Sequence, residues 1–303
     1  MRRRYEVWFL RMALADGNGA WWFRYLLTSP GRGGCGSESR RRPVQVWATW
    51  FPRAGKPVTW IQGFGLEDFR LSPHGSRPFF FEAGENRIAE NECRGHLNVD
   101  GHCIRWNLRY RSTFHTQLSS KGWIGFSGTA HSDAVFSGEI ALDAHSSQGD
   151  PLAYGMQGHN CGYRHRDLWT WTHLQFARPS GRTSTLEALV YDMPLGLVFR
   201  RAVLWHEGKE YVFRRLQERL RDPQHLIWDW QCSHSQVGLE VSVRGRDGFV
   251  HHLPYVKTDC SGEFEVSNDS LASARVVLRH PDGTVEELAT DTGAVLEMVG
   301  NHS

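Results

Sequence analysis

Hydrophobicity in this chain alternates with a period of two over almost its whole length, and the alternating segments are separated by turn dipeptides. Successive side chains of a strand point to opposite faces, whereas a helix repeats every 3.6 residues. The pattern therefore leaves little room for anything but antiparallel sheet. Residues 6–14, 20–27 (WWFRYLL from Trp21) and 44–51 (VQVWATWF) read as the first strands, with a hairpin turn at Asp16-Gly-Asn-Gly19. Segments 63–71, 78–82, 87–97 and 102–110 follow, the last two joined by the two-residue turn Asp100-Gly101. The series continues through 123–126, 134–142, 153–161, 168–176, 186–190 and 197–204. The last third repeats it at 237–243, 248–256, 262–267, 274–279, 285–289 and 294–299, with another turn at Asp282-Gly283.

Only residues 210–221 (EYVFRRLQERLR) read as helix, with Phe213, Leu216 and Leu220 near helical spacing and Asp222-Pro223 as a stop. A strand running into a charged loop is the alternative there. Many short strands with almost no βαβ alternation give an all-β chain, either sandwich or barrel. At 303 residues it is long for one sandwich and comfortable for two domains of about 150 each. The polar stretch 143–151 (DAHSSQGDP) is the best break, so residues 1–148 and 149–303 are expected to form two β-domains.

Composition narrows the function classes. A net charge of +2 gives no general pull toward nucleic acid, and Arg40-Arg41-Arg42 reads as a solvated loop within the Gly- and Ser-rich residues 30–43. No window approaches the roughly 18 apolar residues of a spanning helix. The opening MRRR is followed by an apolar run broken at Glu6 and Arg11, unlike a signal sequence. Six cysteines without a CxxC spacing fit reduced thiols, so a soluble, cytoplasmic protein is expected.

The densest run of chemistry is residues 154–176, YGMQGHNCGYRHRDLWTWTHLQF. In a strand Trp169, Trp171, His173 and Gln175 share one face, with Thr170, Thr172, Leu174 and Phe176 on the other. Trp, His and Gln side by side suit a pocket wall that holds a large apolar ligand and offers it a few polar contacts. Upstream, His159 and Asn160 lie between Gly158 and Gly162. His159 reads either as a turn residue bonded to backbone or as a group that positions or protonates a ligand.

Two carboxyls compete for acid chemistry. Asp192 follows the strand at 186–190 and can be a proton donor in an apolar surrounding or a turn residue ahead of Pro194 and Gly196. Glu187 lies on that strand, on the same face as Leu189 and Tyr191. Zinc at Cys93, His96, His102 and Cys103 is disfavoured, because the Asp100-Gly101 turn puts His96 and Cys103 on one face and the other two on the opposite face. Cys161 beside His159 reads as a buried thiol rather than a nucleophile, since no oxyanion-hole glycine motif accompanies it. No P-loop, dinucleotide fingerprint or GxSxG elbow is present, so any chemistry is expected to need neither cofactor nor metal.

Several pieces in order resemble the lipocalin-like superfamily of hydroxyneurosporene synthase (carotenoid hydratase), tocopherol cyclase, AttH-type proteins and Diels-Alderases. They are the aromatic hairpin at 8–27 with the strand VWATWF, Gly95…Ile104-Arg-Trp106-Asn-Leu108, Phe136-Ser-Gly138…Leu142-Asp143, the His159-Asn160 segment with its W-x-W strand, and the stretches 264–271 and 293–297. Cys161 stands where these families often carry Trp, which removes a large ring from the expected site. The resemblance implies two lipocalin-like barrels and a hydrophobic small molecule, a polyene, prenyl or polyketide-type compound, as partner. It implies cyclisation, hydration, isomerisation or a pericyclic step, with a non-catalytic carrier as the alternative. His159 and Asp192 are the expected catalytic residues, and Asn160, Trp169, Trp171, His173, Glu187 and Tyr191 the expected substrate contacts. Oligomeric state is left open.

Overall fold

The computed structural model describes residues 5–28, 42–72, 79–118, 125–163, 168–177, 183–234, 237–257 and 263–300. Arg40, Arg41, Cys35, His165 and Cys260 lie outside the described residues. The chain is nearly all strand, in two antiparallel sheets that make up two compact units.

The first sheet contains β1 (Tyr5–Leu14), β2 (Gly19–Thr28), β3 (Val44–Pro52), β4 (Val58–Phe64), β5 (Phe69–Leu71), β6 (Phe80–Ala83), β7 (Asn86–Ala89), β8 (Glu92–Val99), β9 (His102–Arg111), β10 (Thr116–Gln117), β11 (Gly125–Leu142) and β12 (His145–Gly162). Its order is β4-β3-β2-β1-β12-β11-β9-β8-β7-β6-β5, with β10 beside β11. The sheet curls until the Gln62 side chain of β4 accepts the Asn98 N–H of β8 at 3.2 Å. The alternation read from the sequence decides what lies inside. Trp8, Leu10, Met12 and Leu14 of β1, Trp21, Phe23 and Tyr25 of β2, and Ile104, Trp106, Leu108 and Tyr110 of β9 join one core cluster. Buried polar tips find partners there. The Trp106 indole donates to the Tyr25 hydroxyl at 3.1 Å, and that hydroxyl lies 3.2 Å from the Cys93 thiol. Burial pushes Cys93 up to about 12 and Tyr25 well above its ordinary value, so both stay neutral.

The break expected at 143–151 is instead the tip and arm of a hairpin. Asp143, at φ 53°, turns β11 into β12, and residues 145–162 pair with β11 and then with β1. Asp143 also accepts the Cys103 N–H at 2.8 Å and faces His102 Nδ1 at 2.8 Å, which ties this turn to the Asp100-Gly101 hairpin of the same sheet. One compact unit takes residues 1–50, 58–165 and 256–262, and the other takes residues 51–57, 166–255 and 263–303. Polar, Gly-containing sequence marks a hairpin tip as readily as a linker, and here it marks the tip.

The second sheet contains β13 (Trp169–Ala177), β14 (Thr183–Asp192), β15 (Val198–His206), β16 (Lys209–Phe213), β17 (Gln217–Asp222), β18 (Ile227–His234), β19 (Val237–Arg244), β20 (His251–Val256), β21 (Glu263–Arg279) and β22 (Val285–Val299), with a 3-10 turn at Pro194–Gly196. Its order is β16-β15-β14-β13-β22-β21-β19-β18-β17, with β20 beside β21. Leu174 and Phe176, Leu186, Ala188 and Val190, Trp228 and Trp230, and Leu296 and Met298 point into its core.

The helix expected at 210–221 is replaced by β16 and β17. Phe213 and Leu216 are buried, but Leu220 is 45% exposed, so the three never form one apolar stripe. Asp222, the expected stop, instead accepts the N–H groups of Gln224 and His225 at 3.0 and 3.1 Å and shapes the turn from β17 into β18.

Candidate functional site

The sequence-selected residues fall into three groups. Trp169, Trp171, His173, Glu187 and Tyr191 come together on β13 and β14, on the face opposite Leu174, Phe176, Leu186 and Val190 of the core cluster. Cross-strand register sets Glu187 directly opposite His173, and Tyr191 opposite Trp169. The Trp171 indole donates to Glu187 Oε1 at 2.9 Å. Trp171, His173 and Glu187 are all buried, His173 and Glu187 at 0% and 2% exposure, so this face is polar in composition yet withdrawn from bulk water. Tyr191 stacks on Phe199 with ring centres 4.6 Å apart.

Strand β22, on the other side of β13, completes the group with a residue that the sequence reading noted but did not place in the site. Glu297 lies opposite Trp171 in register, is buried, and accepts the Trp169 indole N–H at 2.8 Å. Two tryptophans of one strand thus each hold a carboxylate on opposite neighbouring strands. One strand further, buried Asn268 of β21 pairs in register with Glu297. The available signal was a lone Glu inside the apolar run GAVLEMV and a polar SNDS inside another strand, because a buried charge in such a run requires a partner.

Asp192 is elsewhere on the same sheet. It ends β14 on the face of Val190 and Ala188, opposite to that of Glu187 and Tyr191, just before the Pro194–Gly196 turn. Its charge acts on Arg221, whose guanidinium donates to Thr170 Oγ1 at 2.7 Å and to the Val299 carbonyl at 2.9 Å. Burial is the leading influence on Arg221 and lowers its pKa, against the raising effect of Glu218 and Asp192.

His159 and Asn160 belong to β12 in the first unit. His159 lies opposite Trp8 in register and stacks on it almost parallel, 4.4 Å between ring centres and 3° between planes. Its Nε2 is 3.2 Å from Glu6 Oε1. Asn160 points to the other face, opposite Val7 and Ser127. Cys161 is buried and opposite Glu6. The four residues weighed for zinc are divided as the hairpin register requires. Cys93 is in the core, His96 Nε2 lies 3.4 Å from Cys103 Sγ, and His102 meets Asp143. Among the described residues no helix is long and apolar enough to cross a membrane.

No family model matches the chain, and no curated protein matches it in sequence. Solved structures do match in shape. CghA in complex with Sch210972 superposes with a TM-score of 0.64 at 10% identity, over 98% of this chain and 89% of that one. Kievitone hydratase from Nectria haematococca gives 0.58 at 12% identity, over 97% and 88%. A putative AttH from Nitrosomonas europaea gives 0.56 at 11% identity, over 98% and 92%. The likeness runs through both sheets in each case, and on that basis the chain has the two-barrel lipocalin-like fold.

Proposed function

We infer that this protein acts on a hydrophobic polyene, prenyl or polyketide-type molecule and catalyses a cofactor-independent cyclisation, hydration or isomerisation on the β13–β14–β22 face. The observation that carries the reading is the buried Trp171–Glu187 hydrogen bond with His173 opposite Glu187 in register. A carboxyl in such a place can deliver its proton to a C=C bond. As carboxylate it can then take a proton back, from attacking water in a hydration or from carbon in a cyclisation or isomerisation. The indole faces of Trp169 and Trp171 suit the intervening carbocation, and the Trp171 N–H steadies the carboxylate that remains. A hydratase and a ligand-bound CghA among the structures of this fold support the class without naming the reaction.

Glu187 is preferred to Asp192 as the acid because it shares a face with the two indoles and His173, whereas Asp192 sits on the other face near Arg221. The test is product formation per enzyme on a panel of prenylated phenols, carotenoid-type polyenes and polyketide dienes. Glu187→Gln is expected to cut turnover by about 10²–10⁴ while ligand affinity stays within a few-fold, and Asp192→Asn to do much less. Near-background rates in the wild type across the whole panel, with tight ligand binding retained, would make the protein a carrier instead.

A further inference from the structure

Glu6, His159 and Cys161 converge at one point of the first sheet, and the reading of the second unit makes no use of them. Their candidate donor atoms, a carboxylate oxygen, an imidazole nitrogen and a thiol sulfur, all lie within 4.8 Å of one another. Strand register produces the cluster. Glu6 of β1 lies directly opposite Cys161 of β12, and His159 is two residues from Cys161, so all three project from one face. That face also carries Trp8, Leu10 and Met12 of the core cluster.

Their surroundings fix their positions. The Trp8 ring lies flat against His159, and the Phe126 ring sits 5.6 Å from it on the other neighbouring strand. Phe126 reaches that place because residue 128, opposite His159 in register, is glycine; a Cβ there would come within 2.5 Å of the Phe126 ring. Two aromatic rings therefore hold the imidazole plane, while Cys161 is buried and Glu6 and His159 are half-buried.

We propose that Glu6, His159 and Cys161 form a binding site for a divalent ion of the zinc class. Oxygen, nitrogen and sulfur donors together match a borderline-soft ion such as Zn²⁺ and poorly match Mg²⁺ or Ca²⁺, which take oxygen. The carboxylate–imidazole separation agrees as well. Tetrahedral zinc with bonds of about 2.0–2.1 Å to nitrogen and oxygen separates those two ligands by roughly 3.3–3.4 Å. The observed separation of His159 Nε2 from Glu6 Oε1 is 3.2 Å. Three protein donors leave one position of a tetrahedron exchangeable, the count found in zinc sites that take water or a ligand oxygen rather than in purely structural ones. Binding releases the thiol proton, because the thiolate is the ligand.

Cobalt substitution reads this site directly. The full chain, stripped of metal by chelator and dialysed, is titrated with Co²⁺ and followed by absorption. One equivalent is expected to give a thiolate-to-cobalt charge-transfer band in the near ultraviolet and tetrahedral ligand-field bands in the visible, both displaced by Zn²⁺. Cys161→Ser should remove the charge-transfer band, and Glu6→Gln should weaken Co²⁺ binding at least about tenfold, the lower end of what even an outer hydrogen-bond partner contributes at such sites. Cys103→Ser should leave the spectrum unchanged, which excludes the His96–Cys103 pair as the source. Circular dichroism of each variant reports whether it is folded, and a poorly folded Cys161→Ser leaves Glu6→Gln and Cys103→Ser to decide. The site is overturned by a wild type without a thiolate band at stoichiometric Co²⁺, by a band that persists in folded Cys161→Ser, or by one that disappears with Cys103.

Discussion

The indole N–H of Trp171 points at Glu187 across 2.9 Å, on the side of β13 that faces away from the core of its sheet. Removing the donor alone deprives a buried carboxylate oxygen of this hydrogen bond, which costs about 1–3 kcal/mol. Trp171→Phe should therefore lower unfolding free energy by about that amount, while the double change Trp171→Phe with Glu187→Leu should cost clearly less than the sum of the two single changes. Urea unfolding of the four proteins measures the coupling. Strictly additive losses would mean that the hydrogen bond contributes nothing to the folded state.

Ligand binding at the same face has an optical signature. Trp169 and Trp171 both lie on the proposed site, so a bound conjugated polyene should quench part of the intrinsic fluorescence. Trp171→Ala should weaken that quenching and the affinity together while the β-sheet circular dichroism signal is kept. Unchanged quenching in folded Trp171→Ala would place the ligand elsewhere, since indoles also lie in both cores, Trp8, Trp21 and Trp106 in the first and Trp228 and Trp230 in the second.

Much of this architecture was legible in the sequence because strand alternation is a local signal. Asp100-Gly101 turns the chain with φ of 53° and 80°, and β1, β2 and β9 begin and end within a residue or two of the alternating segments. Two segments carry local signals with two meanings. Residues 143–151 carry linker composition but belong to the β11–β12 hairpin, whose pairing is with residues far away in the chain. Phe213, Leu216 and Leu220 have helical spacing, yet β18 supplies a partner strand for 217–222 and the sheet wins.

The site was legible only within single strands. Period two correctly set Trp169, Trp171 and His173 on one side, and likewise Glu187 with Tyr191. It could not bring Glu297 to Trp169, because β22 joins β13 from the end of the chain, more than a hundred residues away. Nor could it bring Glu6 to His159, which requires β1 to pair with β12. The sequence reading set Asp192 down as catalytic and Glu187 as a substrate contact, and the two carboxyls lie on opposite faces of β14.

Acid should weaken the fold within a defined window. Burial, with the neighbouring charge of His252, depresses His251 from its ordinary value of 6.5 to about 4, and burial also lowers His131. Between those values the unfolded chain takes up a proton that the native protein refuses, so stability falls as pH drops from about 6.5 toward 4. Asp143, Asp222 and Asp282 have native values below their ordinary 3.8, so the loss they add sets in as pH approaches that ordinary value and continues below it. The melting temperature should therefore decline on acidification well before those carboxylates protonate. His251→Gln should make that decline shallower. A flat profile from 6.5 to about 4.5 in the wild type would show that neither imidazole is held neutral.

Thiol chemistry tests the two cores separately from the proposed sites. Cys93 lies against the Tyr25 hydroxyl in the first core and Cys232 packs into the second, and burial pushes both thiols up to about 12. The thiolate is the reactive form. At about pH 8, a pKa near 12 leaves roughly 10⁻⁴ of either thiol ionised, compared with about a quarter of an ordinary cysteine. Cys103 is partly exposed, beside His96. Brief alkylation of the native protein, followed by peptide-level mass spectrometry, should label Cys103 and leave Cys93 and Cys232 nearly untouched, and urea should equalise the three. Cys161 adds an internal check on the metal site, since its labelling should fall when Zn²⁺ is present while that of Cys103 does not change. Native labelling of Cys93 at a rate close to that of Cys103 would mean that the first core opens on the timescale of the reaction. The Tyr25–Cys93–Trp106 cluster would then not be the closed interior that its hydrogen bonds describe.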